Sequence, residues 1–358
     1  MKFLFLSKRR PMTRDLISRP YGRYYFLPVE LTRRGHEVWV HVLSYRNDPP
    51  LQLRRDTIEW VSHSLIRSGP LGYFRQAGKL VRRIRPDWIV GCSDIYYGIA
   101  ATALAGRNGC GSVIDAYDNY ESYMPWCKPL HWLWHRAVKH CSIVTVAGPQ
   151  LGTRVSRHRR MKDYHLVPMA PDPTGFSPMP RQECRRMLSL PPDRKLVGYC
   201  GSLHTGRGIK TLFQAFEILR RNRPDVELVA AGRRQRNLQL PKGTRWLGYL
   251  HDSDVPILLN SLDVLAVVNR NSDFCNFSYP VKLYEAMACG IPVVAGATEP
   301  VRWILQRHPS LLYKTNQPHD MASAIEHVLS YDRYEYGPIG SWADSAERLL
   351  NALPSSSN

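Results

Sequence analysis

The segment Phe277-Ser-Tyr-Pro-Val-Lys-Leu-Tyr-Glu-Ala-Met-Ala-Cys-Gly-Ile-Pro-Val-Val-Ala295 reads as a helix that runs into a buried strand. Pro280 suits the opening of a helix, where its missing N–H costs nothing. Leu283, Ala286 and Met287 then fall on one buried face. Gly290 ends the helix, and Ile-Pro-Val-Val is apolar enough for a strand covered on both sides. Glu285 sits on the first or second turn of that helix. A carboxylate there can accept two hydrogen bonds from vicinal hydroxyls, such as those of a ribose; the plain alternative is a solvated helix face.

Working outward, strands alternate with helices on both sides of this segment. Upstream in the same half, Lys195–Cys200, Val226–Ala231, Trp246–Tyr249 and Val264–Val268 read as strands, Val293–Ala295 follows, and a helix covers Ile209–Arg220. In the first half the strands are Lys2–Leu6, Glu37–Val42, Thr57–Val61, Ile89–Gly91, Ser112–Asp115 and Ile143–Ala147, with helices near Tyr24–Arg34 and Tyr73–Arg85. Alternation of this kind implies parallel sheets with crossover connections. The pattern breaks at residues 169–194, where Met169-Ala-Pro-Asp-Pro-Thr-Gly-Phe-Ser-Pro-Met-Pro180 carries four prolines. The expected fold is α/β in two domains, 1–178 and 190–335, with a carboxy-terminal helix at about 340–353 returning to the first. Ligands in such sheets bind at the carboxyl ends of strands, here in a cleft between the halves.

The chain has 358 residues, 44% hydrophobic and 22% charged, which excludes a disordered or fibrous protein. Its formal net charge is +19, and residues 1–190 hold +16 of it. That half faces something anionic: nucleic acid, lipid or a phosphorylated substrate. No apolar run is long enough to span a bilayer, and Met1-Lys-Phe-Leu-Phe-Leu-Ser is too short for a signal-peptide core. Eight scattered cysteines without a Cys-x-x-Cys pair argue against a zinc ribbon or disulfide framework, so a reducing cytosol is the expected setting.

Gly201-Ser-Leu-His-Thr-Gly-Arg-Gly-Ile-Lys210 lies between a strand and a helix. Glycines let backbone approach a ligand, a helix N-terminus offers free N–H groups, and Arg207 and Lys210 add cations. Together these suit a diphosphate; a plain glycine-rich turn is the alternative.

The Tyr279–Val294 segment resembles the nucleotide-sugar signature of retaining GT-B glycosyltransferases, especially glycosyltransferase family 4. Gly201–Gly208, Leu228-Val-Ala-Ala-Gly232, Trp246-Leu-Gly-Tyr-Leu250 and Gly35-His-Glu-Val-Trp-Val40 are similar to that family's landmarks in the same order. The resemblance implies two Rossmann-like domains, an acceptor on the first and a UDP- or GDP-sugar on the second. It implies that Glu285 holds the donor ribose and that Arg207 clamps the diphosphate and steadies the leaving group. Gly201, Ser202 and Lys210 would line the phosphate loop, Lys282 and Leu283 would lie by the pyrophosphate and sugar, and Gly232, Arg233 and Tyr249 would flank the base. It also implies retention of anomeric configuration without a metal or other cofactor. The family's first glutamate of the pair falls at Phe277, with Asn276 or Ser278 as substitutes. Its basic residue after the first loop glycine falls at Ser202, with His204 or Lys210 compensating.

Val113-Ile-Asp-Ala-Tyr-Asp-Asn-Tyr-Glu-Ser-Tyr123 places carboxylates at a strand end. Asp118 is the first choice for orienting the acceptor hydroxyl or steadying oxocarbenium charge, and Asp115 the second; helix capping is the alternative. Asp94 is of the same type. Tyr123–Lys139 sets three tryptophans beside basic residues, which suits an anionic membrane surface and a lipid-linked or glycan acceptor. The competing reading puts Trp132 and Leu133 against the sheet. Arg154, Arg157, Arg159, Arg160 and Lys162, with Arg9, Arg10, Arg54, Arg55, Arg82 and Arg83, would extend a membrane-facing patch on the inner face of the plasma membrane. Two rival functions remain: a nucleotide-sugar 2-epimerase of the same fold, and a non-catalytic binder of anionic surfaces. No recognised nucleic-acid module is present.

Overall fold

The computed structural model describes residues 1–354 and divides into two compact units, Met1–Met169 with the segment from Gly340 onward, and Ala170–Ile339. The first holds strands β1 (Lys2–Lys8), β2 (Glu37–Ser44), β3 (Leu51–Arg55), β4 (Ile58–Ser64), β5 (Trp88–Cys92), β6 (Gly111–Ala116), β7 (Ile143–Val146) and β8 (His165–Leu166). They form one sheet in the order β3-β4-β2-β1-β5-β6-β7-β8. All neighbours are parallel except β3 and β4. The central strands are apolar on both faces, as helix-covered parallel strands must be: Phe3, Leu4, Phe5 and Leu6 are all buried.

The antiparallel edge strand β3 is absent from the sequence reading. It joins β4 through Asp56-Thr57, both at positive φ (50° and 66°), which is the left-handed pair that a two-residue hairpin needs. Asp-Thr is a poor signal for such a turn, and Gln52, Arg54 and Arg55 are exposed, so the segment carries no core pattern.

The second unit holds β9 (Lys195–Cys200), β10 (Val226–Ala231), β11 (Thr244–Trp246), β12 (Val264–Val267), β13 (Val293–Gly296) and β14 (Leu312–Tyr313). The order is β11-β10-β9-β12-β13-β14, parallel throughout. The strand expected at Trp246–Tyr249 ends at Trp246, before Gly248 takes φ +72°. Residues 170–178, grouped with the first half on sequence, fall with the second unit. The Asn260 side chain donates to the Ser177 carbonyl (3.0 Å) and accepts from the Met179 amide (2.8 Å). The helix Arg181–Met187 is held there by a buried ion pair, Arg185 Nη2 to Asp263 Oδ2 at 2.6 Å.

The helix Trp342–Ala352 starts with a capping box between Ser341 and Asp344 and belongs to the first unit. It packs on the helix Arg23–Arg33: Phe26 stacks on Trp342, and the Arg34 guanidinium donates to the Ala343 carbonyl. Among the described residues no helix is long and apolar enough to cross a membrane.

His41 lies fully buried in β2, stacked on Tyr73, with its Nε2 2.9 Å from His63 Nδ1. Burial, reinforced by His63, pushes its pKa from 6.5 down to about 3. Above the unfolded value of 6.5 both states are neutral. Below it the unfolded chain takes up a proton that the folded chain refuses, so stability is lost as pH falls from about 6.5 toward 3. The expected slope from this group is at most about 1.4 kcal/mol per pH unit. Urea midpoints measured across that range fall with pH in the native protein and fall less steeply in His41→Leu.

Candidate active site

Parallel strands end on one edge, and in the second unit four of them deliver the residues singled out above. At the end of β9, Gly201 leads into a loop that lies alongside the segment after β10. The Gly201 amide donates to the Ala231 carbonyl (2.9 Å) and the Leu203 amide to the Arg233 carbonyl (2.9 Å). The approach is close enough to demand glycine. Gly232 takes φ +132°, and a Cβ there would sit 1.9 Å from the Gly201 carbonyl oxygen. Leu203 is buried and pins the loop. His204, expected to supply charge, uses Nδ1 to accept from the Gly206 amide at 3.0 Å and so caps the short turn Thr205–Arg207.

Gly208 (φ +81°) opens the helix Ile209–Asn222. Arg207 and Lys210 are exposed at that helix's start, beside its unpaired amides and positive dipole end. Arg207 also acts on Tyr199, whose pKa burial drives up to about 12 against the pull of the guanidinium. Ser202 is exposed, and its carbonyl accepts from the Tyr199 hydroxyl at 2.9 Å.

After β10, the Arg233 guanidinium lies 5.3 Å from the Tyr249 ring centroid. A second pair beside it is missing from the sequence reading: Arg234 stands 4.5 Å over the Trp246 ring, and Trp246 Nε1 donates to the Gly232 carbonyl (3.0 Å). Two exposed aromatic rings with two guanidinium planes make a stacking wall suited to a flat base.

The helix Val281–Ala288 carries Glu285 on its second turn. Glu285 is only 1% exposed, and its carboxylate is paired with Lys282 one turn earlier. The pairing orients both groups at once. Leu283 is core. Cys289, pushed up to about 12 by burial and then by Glu285, is an inert thiol. Phe277 lies in the turn Cys275–Phe277, and of its two neighbours Asn276 donates to Asn271 Oδ1 (2.7 Å). At the ends of β12 and β13, Asn269 Nδ2 and Thr298 Oγ1 are buried with no hydrogen-bond partner among the described residues. Each such group costs about 1–3 kcal/mol when unmet.

In the first unit the two aspartates part company. Asp115 is 2% exposed in β6. Arg23 grips it with a two-pronged bond, Nε to Oδ2 at 2.7 Å and Nη2 to Oδ1 at 2.5 Å, and Thr145 donates to Oδ1 at 2.6 Å. Burial would lower the Arg23 pKa, but the charge and hydrogen bonds of Asp115 raise it. Asp115 is therefore a structural anion, and the expectation that it handles the acceptor is corrected. Arg23 also donates to the Val167 and Pro168 carbonyls, tying β6 to the chain's exit from β8.

Asp118 lies past the strand end, 6% exposed in a tyrosine cluster. It accepts from the Tyr123 hydroxyl at 2.8 Å. Burial and then Asp118 raise the pKa of Tyr117, and both raise that of Tyr123, so these phenols stay protonated donors. Asp94 is engaged by Lys8 Nζ at 3.1 Å.

Trp132 (60% exposed) and Leu133 do not face the sheet, and Trp126 is 76% exposed; Trp134 is the buried ring of the helix Lys128–His140. Arg9 and Arg10 lie mostly covered in ion pairs with Asp15 and Asp48, which removes them from any surface patch.

Residues 180–336 match the family of glycosyl transferases group 1. The chain is 27% identical over 283 residues to a GDP-mannose-dependent alpha-mannosyltransferase of Mycolicibacterium smegmatis, covering 74% of this chain and 72% of that one. It is 24% identical to a D-inositol 3-phosphate glycosyltransferase of Saccharomonospora viridis, across 90% and 86% of the two chains. Among solved structures, Anabaena HepE in complex with UDP superposes with a TM-score of 0.73 at 14% identity, covering 98% of this chain and 95% of that one. Sucrose-phosphate synthase of Thermosynechococcus elongatus does so with 0.71 at 15% identity, covering 98% and 94%. The protein is a glycosyltransferase with the GT-B fold. Its second unit is a group 1 domain of the family 4 type, and its reaction is sugar transfer from a nucleotide-sugar donor.

Substitution separates the two aspartates. Asp115→Ala strands the buried Arg23 charge and lowers unfolding free energy by about 3–5 kcal/mol in urea titration. Asp118→Asn loses about 1 kcal/mol or less, and its effect is read in turnover.

Proposed function

We propose that the protein is a retaining hexosyltransferase that needs no metal for transfer, takes a GDP- or UDP-sugar, and serves bacterial glycan or glycolipid synthesis. The observation that carries this reading is the shared carboxyl edge of the second sheet. There a glycine-tight loop, a helix start with Arg207 and Lys210, the Lys282–Glu285 pair and an Arg–aromatic wall converge. Each matches one part of a nucleoside diphosphate sugar. The wall takes the base, Glu285 the ribose hydroxyls, and the cations and helix amides the diphosphate.

In this reading the acceptor oxygen attacks the anomeric carbon from the face that the diphosphate leaves. The C–O bond to phosphate breaks as the new glycosidic bond forms, and the acceptor proton passes to the departing phosphate oxygen. Negative charge grows on the diphosphate, and Arg207, Lys210, Lys282 and the helix dipole answer it without a divalent cation. Asp118, steadied by Tyr123, orients the acceptor hydroxyl.

Isothermal calorimetry tests the donor site. Glu285→Ala and Arg207→Ala each weaken GDP-mannose or UDP-glucose binding roughly tenfold or more, and wild-type donor affinity is unchanged in excess chelator. Unaltered affinity in both variants would sink the assignment. An acceptor-free incubation that yields the 2-epimer of the sugar would favour an epimerase instead.

We also propose a peripheral membrane station for a lipid-linked acceptor, at the cytoplasmic face. Exposed Trp126, Trp132 and Leu133 stand beside Arg136, whose guanidinium lies 5.8 Å from the Trp132 ring. Cosedimentation with vesicles containing phosphatidylglycerol is expected to fall with added salt and to fall further in Trp126→Ala/Trp132→Ala. Equal partition to neutral vesicles would contradict it.

A further inference from the structure

We propose that the first unit carries a zinc site formed by Glu121, His135 and His158, with His131 as the fourth donor, which fixes the segment bearing Asp118 and Tyr123. These residues take no part in the donor edge described above. Glu121 lies in the short turn Tyr120–Tyr123, directly after β6 and its loop. His131 and His135 stand one helical turn apart on the helix Lys128–His140, so their rings project from the same face. His158 follows the helix Pro149–Ser156.

The donor atoms of Glu121, His135 and His158 all lie within 4.8 Å of one another. His135 Nε2 is 2.8 Å from Glu121 Oε1, and His131 Nδ1 is 3.9 Å from the same oxygen. A tetrahedral zinc ion with bonds of about 2.0–2.1 Å sets its donor atoms about 3.3 Å apart. The two separations bracket that figure, and the His158 donor, within 4.8 Å of the others, has to move closer. The His135 and His158 rings are stacked, with centroids 3.6 Å apart and planes 11° from parallel. On binding, the His158 ring tilts out of the stack to aim its nitrogen.

Two further contacts point to a cation. His131 Nε2 lies 3.0 Å from the Met124 carbonyl, which can only accept, so the proton sits on Nε2. The other nitrogen, Nδ1, is thereby turned toward the Glu121 carboxylate. A backbone carbonyl that fixes the tautomer and aims the other nitrogen inward is the usual outer support of a metal-binding histidine. Second, three imidazoles face one carboxylate that is already approached on Oε2 by Arg154 Nη2 at 3.5 Å. A set of three nitrogens and one oxygen suits zinc. All three residues of the core set are partly exposed, which leaves an entry path. The ion would staple the turn after β6 to two helices and so hold the Asp118–Tyr123 pair in place.

The test uses the full-length protein stripped with chelator and titrated with zinc alone against a chromophoric competitor. Wild type is expected to bind one equivalent, and His135→Ala, His158→Asn and Glu121→Gln each to bind at least tenfold more weakly. His140→Ala, which removes an exposed histidine on the same helix, is expected to keep full affinity. Cobalt substitution adds a readout that a folding defect does not mimic: intense visible absorption from a tetrahedral ion in wild type and in His140→Ala. The proposal is overturned by zinc binding that the three variants leave unchanged, by an equal loss in His140→Ala, or by the weak spectrum of six-coordinate cobalt. None of these readouts involves the sugar donor, so they stand apart from the fate of the donor-site assignment.

Discussion

Every strand of the carboxy-terminal sheet runs the same way, and this one constraint organises the donor edge. Parallel pairing makes all carboxyl ends share a rim and sends most return paths through a helix on a face. The loop after β9, the turn after β10, the exits from β12 and β13 and the start of the helix Ile209–Asn222 meet there because the hydrogen-bond pattern leaves them nowhere else to go. Within that rim the tightest fit is backbone to backbone. The Gly201 carbonyl fills the space that a side chain on Gly232 would occupy, so the loop after β9 and the Arg–aromatic wall after β10 are one assembly joined through glycine.

Buried charge secures both sheets, and in each case it sits where a strand must be held against a neighbouring segment. Arg23 with Asp115 ties β6 to residues 167–168. Arg185 with Asp263 ties the first helix of the second unit to β9, since the Leu196 amide donates to the same carboxylate at 2.7 Å. Both guanidiniums also donate to backbone carbonyls. Such pairs gain little over apolar packing, but removal of either partner strands a charge. Their role is therefore registry: they permit one arrangement of chain segments and penalise others.

The helix carrying Glu285 was legible because its punctuation and its apolar face agree: Pro280 before it, Gly290 after it, Leu283 and Ala286 buried between. The same holds for β9 and β10, whose limits match the apolar runs residue for residue. The role of Asp115 was not legible, because its partner lies 92 residues away and nothing in either local sequence announces the pair. The Trp246–Arg234 stack was hidden for a related reason: it joins two loops through a ring face and leaves no periodic trace. In Trp132-Leu-Trp134 the composition is uniform and only the helical phase decides. His131, Trp134, Ala137 and Val138 take the inner face, which throws Trp132 and Leu133 outward.

The net charge shows why counts and surfaces diverge. The +16 of residues 1–190 suggests a broad basic field, yet part of it is spent inside the fold. Arg9 and Arg10 share Asp15 and Asp48, Arg23 is sealed against Asp115, and Arg159 bonds Asp163 together with the Val138, Cys141 and Ser142 carbonyls. A guanidinium with five donors can cap backbone carbonyls as well as neutralise an acid, so arginine-rich sequence need not mean arginine-rich surface. Many other cations stay exposed, among them Arg54, Arg55, Arg75, Arg107, Arg157 and Arg160; Lys128, Arg136 and Lys139 are the ones that share a helix with exposed Trp132. The proposed docking to an anionic interface therefore rests on the coincidence of ring and cation along that one helix and not on the total of +19.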